Sequence, residues 1–290
     1  MPLNLRLAAP LLAAALSATA HAKLVEQQFD LPVQVTNPWG KAVAQPIRVT
    51  VFFNDETSGP RPIVLLNHGR AVDAEGRAAL GRARFTEASR WFAERGFLVA
   101  VPTRVGYGVS GGEDVEDAGS CNNRLYPPAY RAAADQSVQL LQELLKRDDA
   151  LKDRTVLLGQ SFGGATTVTL AAMNQPGVVA AINFAGGGGG DPKAHPEQPC
   201  SPAQLKRMFA SYGQTAHVPM LWAYTENDRF FGAKLPREWF QAFREAGGNA
   251  EFRQFPPHGE DGHLLFTKFP QVWQPVVADF LRRQGFDIKD

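Results

Sequence analysis

The 290-residue sequence predicts an α/β architecture, a mostly parallel sheet with helices on both faces, from three observations. From residue 63 onward, short runs that are apolar throughout, such as Ile63-Val64-Leu65-Leu66, alternate with stretches of helical period. A strand apolar on both sides must be covered on both faces, which is the condition inside a parallel sheet. Second, Gly159-Gln160-Ser161-Phe162-Gly163-Gly164 stands where the strand pattern Thr155-Val156-Leu157-Leu158 turns directly into an alanine- and threonine-rich helix pattern. Third, a chain of this length with 44% hydrophobic residues suits one domain with a large core, expected over residues 23–290.

The first 22 residues read as an export signal. Arg6 supplies the positive region, residues 7–16 the apolar region, and Ala20-His21-Ala22 a small-residue cleavage site, leaving Lys23 first. Ten residues are too few for a membrane span of about 20, and no comparable apolar run follows, so no span is expected after removal. The chain is therefore expected to be secreted or periplasmic. Arg6 carries the only formal charge in this segment and the whole chain has net charge +1, so the remainder balances at zero. Such a balance argues against nucleic acid or an anionic membrane surface as partner.

Alternating patterns over residues 25–35 and 47–53, separated by Asn37-Pro38-Trp39-Gly40, predict an antiparallel pair at the sheet edge. Further strands are expected at 97–101, 155–158, 178–183, 220–224 and 251–255. Between them Tyr130, Ala134, Val138, Leu141 and Leu145 form one helical stripe, and Leu235, Trp239 and Phe243 another. Both stripes read as core. A last helix over 272–283 is expected to pack Val276, Val277 and Phe280 on the sheet. The glycine run Gly186 to Gly190 lies beyond a strand end, where ligands bind in open α/β sheets, and residues 186–202 read as a loop over the site. Cys121 and Cys200, the only cysteines, both fall in loop-like stretches, and an exported context favours one disulfide that pins this loop.

In G-x-S-x-G, Gly159 and Gly163 leave room for a tight crossing, so the hydroxyl of Ser161 projects from the sheet edge. A serine hydroxyl does not attack a carbonyl unaided at neutral pH, so the motif requires a base and an orienting acid. Strand 220–224 is followed by Thr225-Glu226-Asn227-Asp228, and strand 251–255 by a loop with Gly262-His263. Asp228 competes with Glu226 and is favoured for its position and shorter side chain; His258 competes with His263, which is favoured because it sits where the loop runs into a helix start. Two backbone donors are also required for a developing oxyanion. These are expected at Phe162, directly after the serine, and at Arg70 in the turn Asn67-His68-Gly69-Arg70, with Ala71 the weaker choice and His68 structural.

Two other patterns are set aside. His258, Glu260, Asp261 and His263 lack the H-E-x-x-H register, so no metal is expected. Gly106-Tyr107-Gly108-Val109-Ser110-Gly111 matches G-x-G-x-x-G but runs into Glu113, Asp114, Glu116 and Asp117, four acids where a pyrophosphate would lie. That segment is expected to shape a pocket wall, with Tyr107 a candidate contact. Phe162, Trp222, Phe230, Phe231 and Phe266 are candidates for an apolar pocket, although aromatic residues serve equally as core.

On Gly159 to Gly164, Asp228 and His263, the chain resembles the α/β-hydrolase superfamily, and within it the dienelactone-hydrolase-like and prolyl-oligopeptidase-like branch, over about residues 45–285. The resemblance implies an eight-stranded, mostly parallel sheet, no cofactor, and Ser161, Asp228 and His263 as a catalytic triad. Dienelactone hydrolases proper carry cysteine where this chain has Ser161, and prolyl oligopeptidases carry a propeller domain for which this chain has no room. The expectation is an exported serine hydrolase acting on a small carboxylic ester; a peptidase with the same triad, or a binding protein that kept the fold without activity, are the alternatives.

Overall fold

The computed structural model describes residues 24–288, so the expected signal peptide and its cleavage site lie outside the described residues. The chain opens with β1 (Leu24–Thr36) and β2 (Ala42–Asn54), paired antiparallel along their full length. The turn between them is closed by Asn37, whose side-chain oxygen accepts from the amides of Trp39 and Lys41. Then follow β3 (Arg61–Asn67), the short α1 (Ala74–Ala78), α2 (Thr86–Ala93), β4 (Leu98–Thr103), α3 (Tyr126–Leu144), β5 (Ala150–Gln160), α4 (Phe162–Ala172), β6 (Val178–Phe184), α5 (Pro202–Gly213), β7 (Met220–Thr225), α6 (Leu235–Glu245), β8 (Ala250–Phe255), α7 (Leu265–Lys268) and α8 (Pro270–Arg283). All eight strands form one sheet in the order β1-β2-β4-β3-β5-β6-β7-β8. Pairings from β4 to β8 are parallel, and β2 meets β4 antiparallel. This is the α/β-hydrolase fold.

Successive strand residues feed two separate cores, because side chains alternate across a sheet. On β3, Ile63 and Leu65 enter one core and Val64 and Leu66 the other. The first core takes α3 through Tyr130 and Leu141, α4 through Val168, α5 through Phe209 and α6 through Trp239 and Phe243. The second takes α2 through Trp91 and Phe92, and α8 through Trp273, Val277 and Phe280. Of the residues expected to face the sheet from α8, Val277 and Phe280 are buried and Val276 only partly; the fully buried Trp273 is the larger anchor. Strand β5 begins five residues before its apolar run, but its lockstep pairing with β3 starts only at Thr155, after a register shift. Its first half, where Lys152 and Asp153 are exposed and Leu151 and Arg154 half-buried, could not announce itself through apolar patterning.

Trp222, a candidate for the pocket, is instead core. It is fully buried among Phe209, Phe240 and Phe243, because its place on β7 points it at α5 and α6 rather than at the strand end. Phe266 likewise packs on Phe184, Phe85 and Trp273 inside the second core.

Candidate active site

Strand β5 ends at Gln160 and α4 begins at Phe162, so Ser161 alone makes the turn. It does so at φ 58°, ψ −125°, a conformation costly for any residue with a Cβ and typical of functional sites. The turn is held open by what its neighbours lack. A Cβ on Gly159 would lie 2.1 Å from the carbonyl oxygen of Gly163, and one on Gly163 would lie 2.1 Å from that of Asn67, both far inside contact distance. Backbone bonds fix the strained residue: its N–H donates to the Phe184 carbonyl at 2.9 Å, and its own carbonyl accepts from Gly164 at 2.8 Å.

Asp228 lies just past β7 with no solvent exposure. Its Oδ1 accepts from the amides of Phe230 (2.8 Å) and Phe231 (3.1 Å), and its Oδ2 faces Nδ1 of His263 at 2.9 Å. Both oxygens of a carboxylate only accept, so Nδ1 carries a proton, and in the neutral ring the lone pair is then on Nε2. Nε2 is buried and unpaired among the described residues. Asp261 caps the single turn that carries His263, accepting from its amide at 3.0 Å, and also accepts from the amide of Arg229 at 3.0 Å. Phe230 stacks on the imidazole with ring centroids 4.0 Å apart. The side-chain amide of Gln160, adjacent to the serine, donates to the His263 carbonyl at 3.2 Å. Neither competitor joins this group: Glu226 is exposed, and His258 turns its Nδ1 to the Pro256 carbonyl at 2.7 Å, with its edge on Phe269.

Ser161, Phe162, Phe230 and Phe231 line a cavity of about 370 Å³ at the C-terminal ends of the parallel strands. Residues 187–190 and Cys200 form one wall. That wall is tied to the start of α3 by the Cys121–Cys200 disulfide and by the Tyr126 hydroxyl, 2.6 Å from the Cys200 carbonyl and 3.1 Å from that of Gly188. Charged residues line the cavity as well: Arg70 and Arg77, both paired with Asp114, together with Asp117, Arg124 and Asp191. The acids of the segment expected to shape a pocket wall, Asp114 and Asp117, do line the cavity; pattern reasoning missed the pairing of Asp114 with Arg70 and Arg77, which lie tens of residues away with no periodicity to join them. Among the described residues no cluster of three or more His, Cys, Asp or Glu could hold a metal ion.

The first amide of a helix has no intrahelical acceptor and sits at the positive end of the helix dipole, and Phe162 provides such an amide beside the serine. On the opposite side Gly69 packs so closely that a Cβ on it would be 3.1 Å from Cβ of Ser161. Arg70 and Ala71, which follow, line the cavity. His68 is buried, its Nδ1 donating to the Gly69 carbonyl (2.7 Å) and its Nε2 accepting from the Arg104 amide (3.1 Å). Burial, then the Arg104 charge, hold its pKa well below the ordinary histidine value, so it is a neutral strut. Tyr107 is not on the cavity surface: it is 1% exposed, with its hydroxyl spent on Glu116 and Arg70. The glycines around it bend the chain inward through a short 3-10 turn instead of opening a helix, and so carry the ring into the interior.

The sequence model of the dienelactone hydrolase family matches residues 74–263. The chain belongs to this family. Among solved structures, a Klebsiella pneumoniae chain provisionally described as a dienelactone hydrolase is 16% identical, with a TM-score of 0.58, covering 88% of this chain and 99% of that one. An acetyl xylan esterase from Paenibacillus sp. R4 is 15% identical, with a TM-score of 0.59 and coverage of 91% and 88%. A puromycin-hydrolyzing peptidase from Mycobacterium tuberculosis is 15% identical, with a TM-score of 0.60; this chain is covered over 90% and that one over 40%. No curated protein matches. At such identities these neighbours speak for the fold, and membership of the dienelactone hydrolase family makes the chain a hydrolase.

Proposed function

We propose that this dienelactone hydrolase family member is an exported serine hydrolase that cleaves small carboxylic esters through an acyl-enzyme. The observation that carries the reading is the 2.9 Å contact of buried Asp228 with Nδ1 of His263, which turns Nε2 away from the carboxylate, without a partner among the described residues, in a loop tied to the residue before a strained serine. In this reading Ser161 Oγ attacks the ester carbonyl while His263 Nε2 takes its proton. The amides of Phe162 and Arg70 hold the oxyanion as the tetrahedral intermediate forms. Collapse expels the alcohol, which receives the proton from Nε2; water then repeats the cycle and releases the acid. Asp228 stays ionised, fixing the tautomer and stabilising the transient imidazolium.

A cavity of about 370 Å³ stands at the small end of ligand sites, which supports a short or aromatic acyl group. The disulfide is at home in an oxidising compartment and supports export. The test is active-site titration with a fluorophosphonate followed by peptide mapping. One label per chain on Ser161, absent from Ser161→Ala, is expected; full labelling of that variant excludes the assignment.

A further inference from the structure

The reading above makes the loop 67–70 one wall of the oxyanion site, and the inference that follows rests on it. Gly69 lies against the nucleophile, so a shift of the loop shifts the donor that Ser161 chemistry needs. Two side-chain bonds flank Gly69. The His68 carbonyl accepts from Nη1 of Arg104 at 2.8 Å, and the Arg70 guanidinium donates to the Tyr107 hydroxyl at 3.1 Å. These two anchor points are themselves joined. The Tyr107 hydroxyl donates to Oε2 of Glu116 at 2.5 Å, and Glu116 accepts from Nε of Arg104 at 2.5 Å and from its Nη2 at 3.2 Å. A closed circuit of hydrogen bonds thus leaves the loop at Arg70 and returns to it at His68.

The circuit is buried: Arg104 and Glu116 have no solvent exposure. Stability is a poor account of such a pair, because apolar residues of equal volume commonly do as well once desolvation is counted. A salt bridge of this kind does impose geometry, since a guanidinium fork accepts a carboxylate in one orientation. Burial, with the Glu116 charge, raises the Tyr107 pKa, so its hydroxyl keeps the proton it donates. The circuit also backs onto the other expected oxyanion donor, with the Arg104 guanidinium 5.7 Å from the ring centre of Phe162. With Asp114 and Arg77 included, three guanidiniums meet two carboxylates behind the loop.

We propose that Arg104, Glu116 and Tyr107 are positioning residues, a buried clamp that holds the loop 67–70 in register for oxyanion stabilisation. None touches substrate. The clamp acts on the transition state and leaves ground-state binding alone.

The test compares Tyr107→Phe and Glu116→Gln with wild type on one activated ester, together with inhibition by a trifluoromethyl ketone, whose adduct with serine carries an oxyanion. Small displacements at reacting atoms cost up to about a hundred-fold, so kcat should fall about ten-fold for Tyr107→Phe and more for Glu116→Gln, with KM within about two-fold. The ketone inhibition constant should rise by the same factor as kcat falls. Unchanged kcat and unchanged ketone affinity, with only a lower melting temperature, reduce the clamp to a structural pair and overturn the proposal. Where Glu116→Gln does not fold, Tyr107→Phe, which deletes a single hydroxyl, decides alone. Wild type that fluorophosphonate does not label at Ser161 overturns the serine-hydrolase reading and the clamp with it; labelled wild type with indifferent variants overturns the clamp only.

Discussion

Two histidines of opposite character define the site at the scale of single residues. His263 is held by a carboxylate that accepts its Nδ1 proton, whereas His68 is held by a carbonyl and an amide and carries no carboxylate partner. In the proposed mechanism the first is the base: His263→Ala should lower kcat on the order of 10⁴-fold, and His258→Ala should leave it nearly unchanged, measured by steady-state ester turnover. A reversed order would name His258 the base. His68 makes a prediction about stability. Its folded pKa lies well below the ordinary 6.5, so below that pH the unfolded chain binds a proton that the folded chain refuses. Its contribution is therefore intact above pH 6.5 and is lost as pH falls through that value, by up to about 1.4 kcal/mol per pH unit. Urea melts at pH 7.5 and 5.0 should show this loss in wild type and a smaller one in His68→Asn. Carboxylates such as Asp114, whose pKa burial raises and Arg70 lowers to a net decrease, act only below their ordinary 3.8 and do not confuse the window.

Among the elements, the wall formed by residues 187–190 and Cys200 is the one whose support is covalent. Cys121 and Cys200 are 79 positions apart, and closing a loop of that size restrains the unfolded chain by about 4 kcal/mol in the chain-entropy account. Reduction, or Cys200→Ser, should lower unfolding free energy by about 2–4 kcal/mol and open this segment to limited proteolysis, since hydrogen bonds alone, from the Tyr126 hydroxyl and from the Ser201 hydroxyl to the Cys121 carbonyl, would then tie it to the α3 side. An unchanged urea midpoint after complete reduction contradicts this. The strand-to-helix turn is the opposite case, supported by close packing. Gly163→Ala forces a methyl onto the Asn67 carbonyl, so it should yield little folded protein in a thermal melt, whatever is done to the disulfide.

For the whole molecule, the consequence is reaction class. An ester's alkoxide leaves with little assistance, while an amide nitrogen must be protonated accurately and its peptide anchored. Short-acyl or aryl esters should therefore be hydrolysed far faster than aminoacyl amides, with no added metal or nucleotide, in parallel turnover assays. Equal rates on amides favour a peptidase, and activity lost to chelator and restored by metal contradicts the mechanism. Mass spectrometry of protein recovered from the medium or periplasm should find Lys23 at its N-terminus if residues 1–22 are a signal.

Much of this could be read from the chain alone, because strand and helix identity depend on local apolar period and the nucleophile turn on local glycine spacing. The sheet, the strained Ser161 between Gly159 and Gly163, and the strand-end positions of Asp228 and His263 all follow from such short-range constraints. Only the tertiary structure decided which aromatic rings meet the cavity. Trp222 and Tyr107 turned inward and Phe230 did not, because the facing of a ring depends on what packs above it rather than on its neighbours in sequence. The same holds for the charges. Arg70, after β3, meets Asp114, after β4, through a fold that brings those strands side by side, Arg104 meets Glu116 where the segment after β4 folds back on itself, and such ion pairs leave no periodic trace in a sequence from which they could have been foreseen.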